Sequence, residues 1–366
     1  MAGLGSHAVD AAAFRSEFPV LERLAFLNAG SDGPVPRRGA RAAAAQIERE
    51  LVEGRAGRSH FDALMELAGA LRARMAELIA CDAEDVALTH SATDGMATVL
   101  SALGLGPGDE VLTTDEEHPG LLAPLEVARR RGGFDVRFVP FAEVAGEVGR
   151  RTRLVACSHV SWVSGRTVAF PALAGSDALV LLDGAQGLGA IPVDVGTLGC
   201  DFYAAAGQKW LCGPDGSGCL YVRRELAEGL DPPWPSYMSL ADPARPSELV
   251  PHPGARRFDL GLSGPLLAWT HASVELFQEA GLDWVHERGT ALAERLAESL
   301  GDHGHAVIPR DRTTLVSWRS DDAEGAVARL ADAGVVVRHL PGRGLVRASV
   351  GAWSNEEDLE RLLAAL

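Results

Sequence analysis

Two periodicities alternate along the chain. Residues 36–52 and 59–80 carry apolar side chains at helical spacing, and Val86 to His90 forms a short apolar run of the kind that makes a buried strand. A Ser-Ala-Thr-Asp-Gly turn at 91–95 opens another helical run. From there strands are predicted at Glu110 to Thr114, Phe134 to Val139, Leu154 to Ser158, Ala178 to Leu182, Phe202 to Ala204 and Cys219 to Val222, with a helix from about Pro119 to Arg131. Short apolar strands separated by helices predict a largely parallel sheet covered on both faces, an α/β domain. Residues 231–253 interrupt this pattern: seven of the 20 prolines fall here, which predicts an ordered crossing or loop. Beyond it, helical runs at 265–279 and 282–299 lead to a strand from Thr314 to Trp318 and a helix near 323–333. Strands Val335 to Arg338 and Leu345 to Val350 and a closing helix from about residue 355 complete a smaller α/β domain. Asn355, with Asp358 three residues on, has the spacing of a cap for that last helix.

Composition narrows the class. The 366 residues suffice for two domains with buried cores, and 47% hydrophobic with 23% charged residues is a globular balance. A net charge of −16 offers no basic stripe to a phosphate backbone or an anionic lipid, which argues against nucleic-acid and membrane partners. Met1 to Pro19 has no basic-then-apolar leader and no apolar run reaches spanning length, so a soluble, cytoplasmic protein is expected. The five cysteines, Cys81, Cys157, Cys200, Cys212 and Cys219, are odd in number and form no Cys-x-x-Cys pair. Reduced core thiols are the expectation, with no disulfide and no structural metal.

One of the 34 cationic side chains is a lysine, Lys209; every other is arginine. A lysine retained in such a chain marks chemistry that a guanidinium does not perform: forming a Schiff base with an aldehyde, then acting as a general base. Lys209 stands in Gly207-Gln208-Lys209-Trp210, between a strand end and the glycine-rich Gly213-Pro214-Asp215-Gly216-Ser217-Gly218. Asp183 ends a strand before Gly184-Ala185-Gln186. A carboxylate there either enters the ligand crevice of an open sheet or caps the next turn, and the two readings weigh equally. Ser91-Ala92-Thr93-Asp94-Gly95 is likewise either an anion site of backbone amides with the Thr93 hydroxyl or an ordinary helix cap. His118 follows another strand and is either a flat ring wall or a structural histidine.

Taken in order, Ser91-Ala92-Thr93-Asp94-Gly95, Glu117-His118-Pro119-Gly120, Ser158-His159-Val160-Ser161, Asp183-Gly184-Ala185-Gln186, Gly207-Gln208-Lys209-Trp210 and Arg347-Ala348-Ser349 resemble the class V aminotransferases. These are a pyridoxal-phosphate (PLP), fold-type I group that includes cysteine desulfurases, selenocysteine lyases, isopenicillin N epimerase-like proteins and kynureninases. The resemblance runs from Phe26-Leu27-Asn28-Ala29-Gly30 to the C-terminal helix. It implies an arm at 1–25 packing with the small domain, a large PLP-binding domain at 26–255, a small domain at 256–366, and a homodimer with shared active sites. It further implies Lys209 as the Schiff-base lysine, Asp183 as partner of the pyridine nitrogen and Gln186 as ligand of the ring oxygen. His118 would stack on the ring, Ala185 would lie against its face, and Thr93, Asp94 and Gln208 would hold the phosphate. Arg347 would grip the substrate carboxylate, and Asn28 would approach the substrate from the N-terminal loop.

Four departures bear on the reaction. Ala206-Gly207-Gln208 replaces the family's Ser-x-His, which leaves Gln208 as the side-chain donor to the phosphate. Trp162 stands where an asparagine is usual and reshapes the substrate space, and Gly261-Leu262-Ser263 replaces a Gly-Thr that reaches the phosphate of the partner subunit. No cysteine follows Cys219, so the thiolate that forms a persulfide in the desulfurases is missing from the segment before Arg347. The expected function is therefore action on a small α-amino acid through its Schiff base with the cofactor, with carbon–sulfur β-elimination ahead of transamination or epimerisation. A PLP-binding regulatory protein is the non-enzymatic alternative.

Overall fold

The computed structural model describes residues 9–170 and 177–366; the first eight residues of the expected arm lie outside it. The strands are β1 (Ala25–Phe26), β2 (Val86–Thr89), β3 (Glu110–Thr114), β4 (Asp135–Val139), β5 (Thr152–Ser158), β6 (Leu179–Asp183), β7 (Phe202–Ala206), β8 (Gly218–Val222), β9 (Leu315–Arg319), β10 (Val335–Val336), β11 (Arg338–Leu340) and β12 (Leu345–Ser349). Seven of them form one sheet in the order β2-β8-β7-β6-β5-β3-β4, with β8 antiparallel to its neighbours and the rest parallel. Both faces are dry. Along β5, Leu154 and Ala156 join one apolar cluster, with Met96, Leu121 and Phe202; Val155 and Cys157 join the other, with Leu71, Met75 and Tyr203. This alternation explains why the strand sequences are apolar throughout: each side chain has a helix layer to meet, whichever face it points to.

The C-terminal part contributes a three-stranded antiparallel sheet, β11-β12-β9, covered by the helices Leu282–Asp302, Ala323–Asp332 and Glu356–Ala365. The Asn355–Asp358 capping box forms as the sequence leads one to expect. Its core gathers Leu296, Val316, Trp318, Leu330 and Val346, and also Ala25 and Leu27 from the other end of the chain. β1 reaches it by pairing in parallel with β10. Arg15, in the helix Ala11–Ser16, adds an ion pair to Asp358 at 2.6 Å, and Phe14 and Phe18 stack against Phe277 and Trp353. The helix Gly264–Ala280 faces the other way, sending Leu267 and Val274 into the core beneath the large sheet. It seats against the helix Arg37–Glu53, where a Cβ on Gly39 would stand 2.4 Å from the Trp269 ring. The proline-rich stretch holds the short turns Tyr237–Ser239 and Pro246–Glu248 and an antiparallel bridge between Leu240 and Pro251, as expected for an ordered crossing. Among the described residues, no helix is long and apolar enough to cross a membrane.

Candidate active site

The chain leaves the large sheet at one edge five times, and each exit delivers polar side chains to the same place. Ser91 and Thr93 follow β2, Glu117 and His118 follow β3, Ser158 ends β5, Asp183 ends β6, and Lys209 follows β7 by three residues. Carboxyl ends of parallel strands are where open α/β sheets bind ligands. Here they enclose a cavity of about 290 Å³, closed on its other side by Gly30, Ser31, Asp32 and Arg338. Thr93, His118, Trp162, Asp183, Ala185, Gln186, Gln208 and Lys209 all line it. Eight of the residues singled out in the sequence thus line one cavity.

Burial pulls the Lys209 ammonium down to about 8; Asp183 opposes the shift, and Arg347 adds to it. Burial also raises the Asp183 carboxyl, which Lys209 and the Ala185 N–H, donating at 2.9 Å, pull back. His118 Nδ1 accepts the Gly120 N–H at 3.0 Å, capping the helix Pro119–Gly132, so the neutral ring carries its proton on Nε2. Burial, with Lys209 and the arginines around it, holds that ring to about 4. The edge of Trp162 packs against it, with centroids 5.0 Å apart.

Gln186 is held at both ends of its amide. Trp210 Nε1 donates to its Oε1 at 3.0 Å, and its Nε2 donates to Gly30 O at 2.8 Å, which leaves a second amide proton for a ligand. The turn between Asp183 and Gln186 passes so close to β7 that a Cβ on Gly184 would sit 2.2 Å from the Tyr203 ring. Behind this layer, buried Glu117 accepts Thr114 Oγ1 at 2.5 Å, Ser158 N–H at 2.9 Å and Ser158 Oγ at 2.6 Å. Burial nonetheless pushes its carboxyl up to about 7.

Four expected residues lie outside the lining: Asp94, Asn28, Ser263 and Arg347. The Asp94 N–H, expected to meet an anion, is taken by Ser91 Oγ at 3.1 Å as a helix cap, and Asp94 does not line the cavity. Asn28 lies behind the wall: its Oδ1 accepts Ser31 Oγ at 3.0 Å, and residues 30–32 reach the cavity in its place. Ser263 is exposed at the start of the helix Gly264–Ala280, outside the cavity of its own chain.

Arg347 is fully buried in β12. Its Nη1 donates to Trp162 O at 2.9 Å, while Nε and Nη2 have no partner. These two groups share one edge of the guanidinium, the edge that grips a carboxylate with two parallel bonds. Gly30 makes room for it, since a Cβ there would stand 2.6 Å from Nη2. Sequence reasoning does not single out Asp32 and Arg338, which line the cavity, or Trp210, which holds Gln186. Nothing local marks the first two, and Trp210 acts only through Gln186. No cysteine lines the cavity, and burial pushes the Cys81 and Cys219 thiols up to about 12.

Among solved structures, the cystine C-S lyase C-DES in complex with its reaction product cysteine persulfide superposes with a TM-score of 0.89 at 27% identity, covering 95% of this chain and 98% of that one. A C-DES mutant with glycine covalently linked to its PLP cofactor gives 0.90, also at 27% identity, over 96% and 98%. Isopenicillin N epimerase of Streptomyces clavuligerus is 28% identical over 383 residues, 93% of each chain. Cysteine desulfurase of Serratia proteamaculans is 27% identical over 402 residues, 96% of each chain. The aminotransferase class-V family matches residues 36–362, nearly all of the chain that builds the large sheet, the cavity and the smaller sheet. The protein therefore belongs to the aminotransferase class-V family, whose members are PLP-dependent enzymes.

Proposed function

We propose that this PLP-dependent enzyme breaks the carbon–sulfur bond of a small α-amino acid by β-elimination, without a cysteine nucleophile of its own. The observation that carries the reading is a cavity that joins Lys209 to Asp183 and contains no thiol. The donor set fits the cofactor on structural grounds. Asp183 is a buried carboxylate that the Lys209 charge favours, suited to a protonated pyridine nitrogen. Gln186 has an amide proton to spare for the ring oxygen. His118 and Ala185 would border the ring, while Thr93, Gln208 and the N-terminus of the helix Ala92–Ala102 would hold the phosphate.

When bound at Lys209, PLP supplies an electron sink for the charge left as Cα loses its proton. The chain does the rest. Arg347 orients the substrate by its carboxylate, and the Trp162 carbonyl fixes Arg347 in turn. Lys209, held near 8, is basic enough to take the α-proton and is partly neutral at physiological pH. As the C–S bond breaks, its electron pair leaves on sulfur, the leaving thiolate takes up a proton, and water converts the remaining fragment to pyruvate and ammonia. Epimerisation requires a second base, and His118, neutral with its proton on Nε2, is poorly suited to that role.

The same reading takes the working unit as a homodimer in which Ser263 serves the site of a second copy. Ile47, Leu51, Val52, Trp234 and Tyr237, exposed on this chain, support an apolar contact between copies. It also keeps the division into an arm at 1–25, a large domain at 26–255 and a small domain at 256–366. The apolar cluster of the C-terminal sheet, drawn from Ala25, Leu27 and residues 292–362, supports a separate small domain, although the helix Gly264–Ala280 packs with the large sheet. To test the reaction, the holoenzyme is incubated with amino acids and S-substituted cysteines. Pyruvate without conversion of the cofactor is the expected outcome. Accumulation of the amine form of the cofactor, or inversion at Cα without pyruvate, would replace elimination by transamination or epimerisation.

A further inference from the structure

The antiparallel register of β11 and β12 sets Arg338 directly across from Arg347. Side chains so opposed share a face, with Cβ atoms roughly 5 Å apart, and like charges there repel. The effect is visible at Arg347, where Arg338 adds to burial in drawing the guanidinium down to about 9. Among the described residues, neither arginine forms an ion pair with a carboxylate. Arg338 has only Ser31 Oγ, at 3.2 Å, and its neighbour's carbonyl, His339 O, at 3.4 Å. Asp32 acts on it electrostatically without forming an ion pair, and burial raises the Asp32 carboxyl itself.

The two arginines stand differently toward the cavity: Arg338 lines it, and Arg347 is buried beside Gly30, outside the lining. Arg347 keeps one two-pronged edge free, and a single carboxylate uses both prongs. Arg338 is half-buried in the cavity wall, its Cζ standing 5.7 Å over the Trp162 ring. Trp162 therefore braces both, through its carbonyl for Arg347 and through its ring for Arg338. With the α-carboxylate assigned to Arg347, the second guanidinium faces the cavity with Asp32 acting on it from a distance and no ion pair among the described residues, in a place where a closer anion would relieve the repulsion between the pair.

We propose that the substrate carries a second acidic group, which Arg338 binds, so that the enzyme selects dianionic amino acids over those with neutral side chains. This rests on the assignment of the α-carboxylate to Arg347 in the proposed function. Two isosteric pairs test it on the holoenzyme: L-glutamate against L-glutamine, and S-carboxymethyl-L-cysteine against S-carbamoylmethyl-L-cysteine. Binding is read from the change in cofactor absorbance, separately from pyruvate release. The acid of each pair should bind about tenfold or more tightly, as expected for a charge-assisted bond. Arg338→Gln should bring the ratio to within about threefold, and Arg338→Lys should keep part of it. No preference in the wild type, or Arg338→Gln weakening acid and amide alike, would overturn the proposal; the latter would mean that Arg338 shares the α-carboxylate. An acid preference without pyruvate from the cysteine pair would strike elimination alone, and pyruvate without an acid preference would strike only the second-acid site.

Discussion

Arg72 and Arg347 are both buried, 7% and 0% exposed, and they differ in what answers their charge. Arg72 reaches Asp259 with two parallel bonds, 2.9 and 2.7 Å, and gives a third to Val86 O at 2.7 Å. The chain supplies everything this cation requires. It lines a larger cavity, about 420 Å³, among Phe61, Met65, Leu88 and Tyr237, yet holds no free donor toward it that the structure leaves orphaned. Arg347 has one carbonyl and an empty two-pronged edge. Volume alone would favour the wrong cavity; unanswered charge separates a structural arginine from one built for a ligand.

The difference is sharpest in paired substitutions. Arg72→Met strands the Asp259 carboxylate and should cost about 3 kcal/mol or more of folding stability, read by denaturant unfolding, with substrate affinity unchanged. Arg347→Met removes an unpaired buried charge, so stability should hold or rise while affinity for the amino acid falls about a hundredfold. Equal losses of stability in the two variants would break the comparison.

A second contrast lies in pH. Lys209 titrates near 8 in the fold against 10.5 ordinarily, so between these values the unfolded chain holds a proton that the fold has released. The Lys209 contribution to the stability of the cofactor-free protein should accordingly rise with pH from about 8 to 10.5, read as the wild type minus Lys209→Met so that the buried thiols, which act in the opposite direction above about 9, cancel. Below about 8, both states are protonated and the fold carries the full penalty. Because only the neutral amine attacks an aldehyde, cofactor uptake should slow about tenfold for each pH unit below 8. A midpoint above 10 would show that the lysine is not desolvated. The smallest effect is expected at Trp210→Phe, which removes the donor to Gln186 Oε1 and should weaken cofactor binding about fivefold, in line with one lost hydrogen bond. A loss as large as that at Arg347 would mean that Trp210 touches the ligand itself.

The strand-end residues are legible in sequence because a parallel sheet ties position along the chain to position in space. A polar residue that closes an apolar run, as Asp183 does, or follows one, as Lys209 and His118 do, must emerge at the carboxyl edge. Lys209 is doubly legible through the arginine bias of the composition. Arg338 and Asp32 are not, since their place depends on the β11–β12 register and on the N-terminal loop crossing the cavity, where Ser31 meets Arg338 from 307 residues away. Asn28, legible by its rarity, bridges to Ser349, and residues 30–32 line the cavity. Asp94 shows how the same first-turn signature serves a cap and an anion site alike, with Ser91 deciding the matter at that amide.

The central claim is that Lys209 carries the cofactor. Adding PLP to the cofactor-free protein, reducing with borohydride and mapping the adduct by peptide mass spectrometry tests it directly. A yellow protein with the mass increment on the peptide containing Lys209 is the predicted result. A protein that stays colourless at saturating PLP, with Lys209 unmodified, would contradict the account.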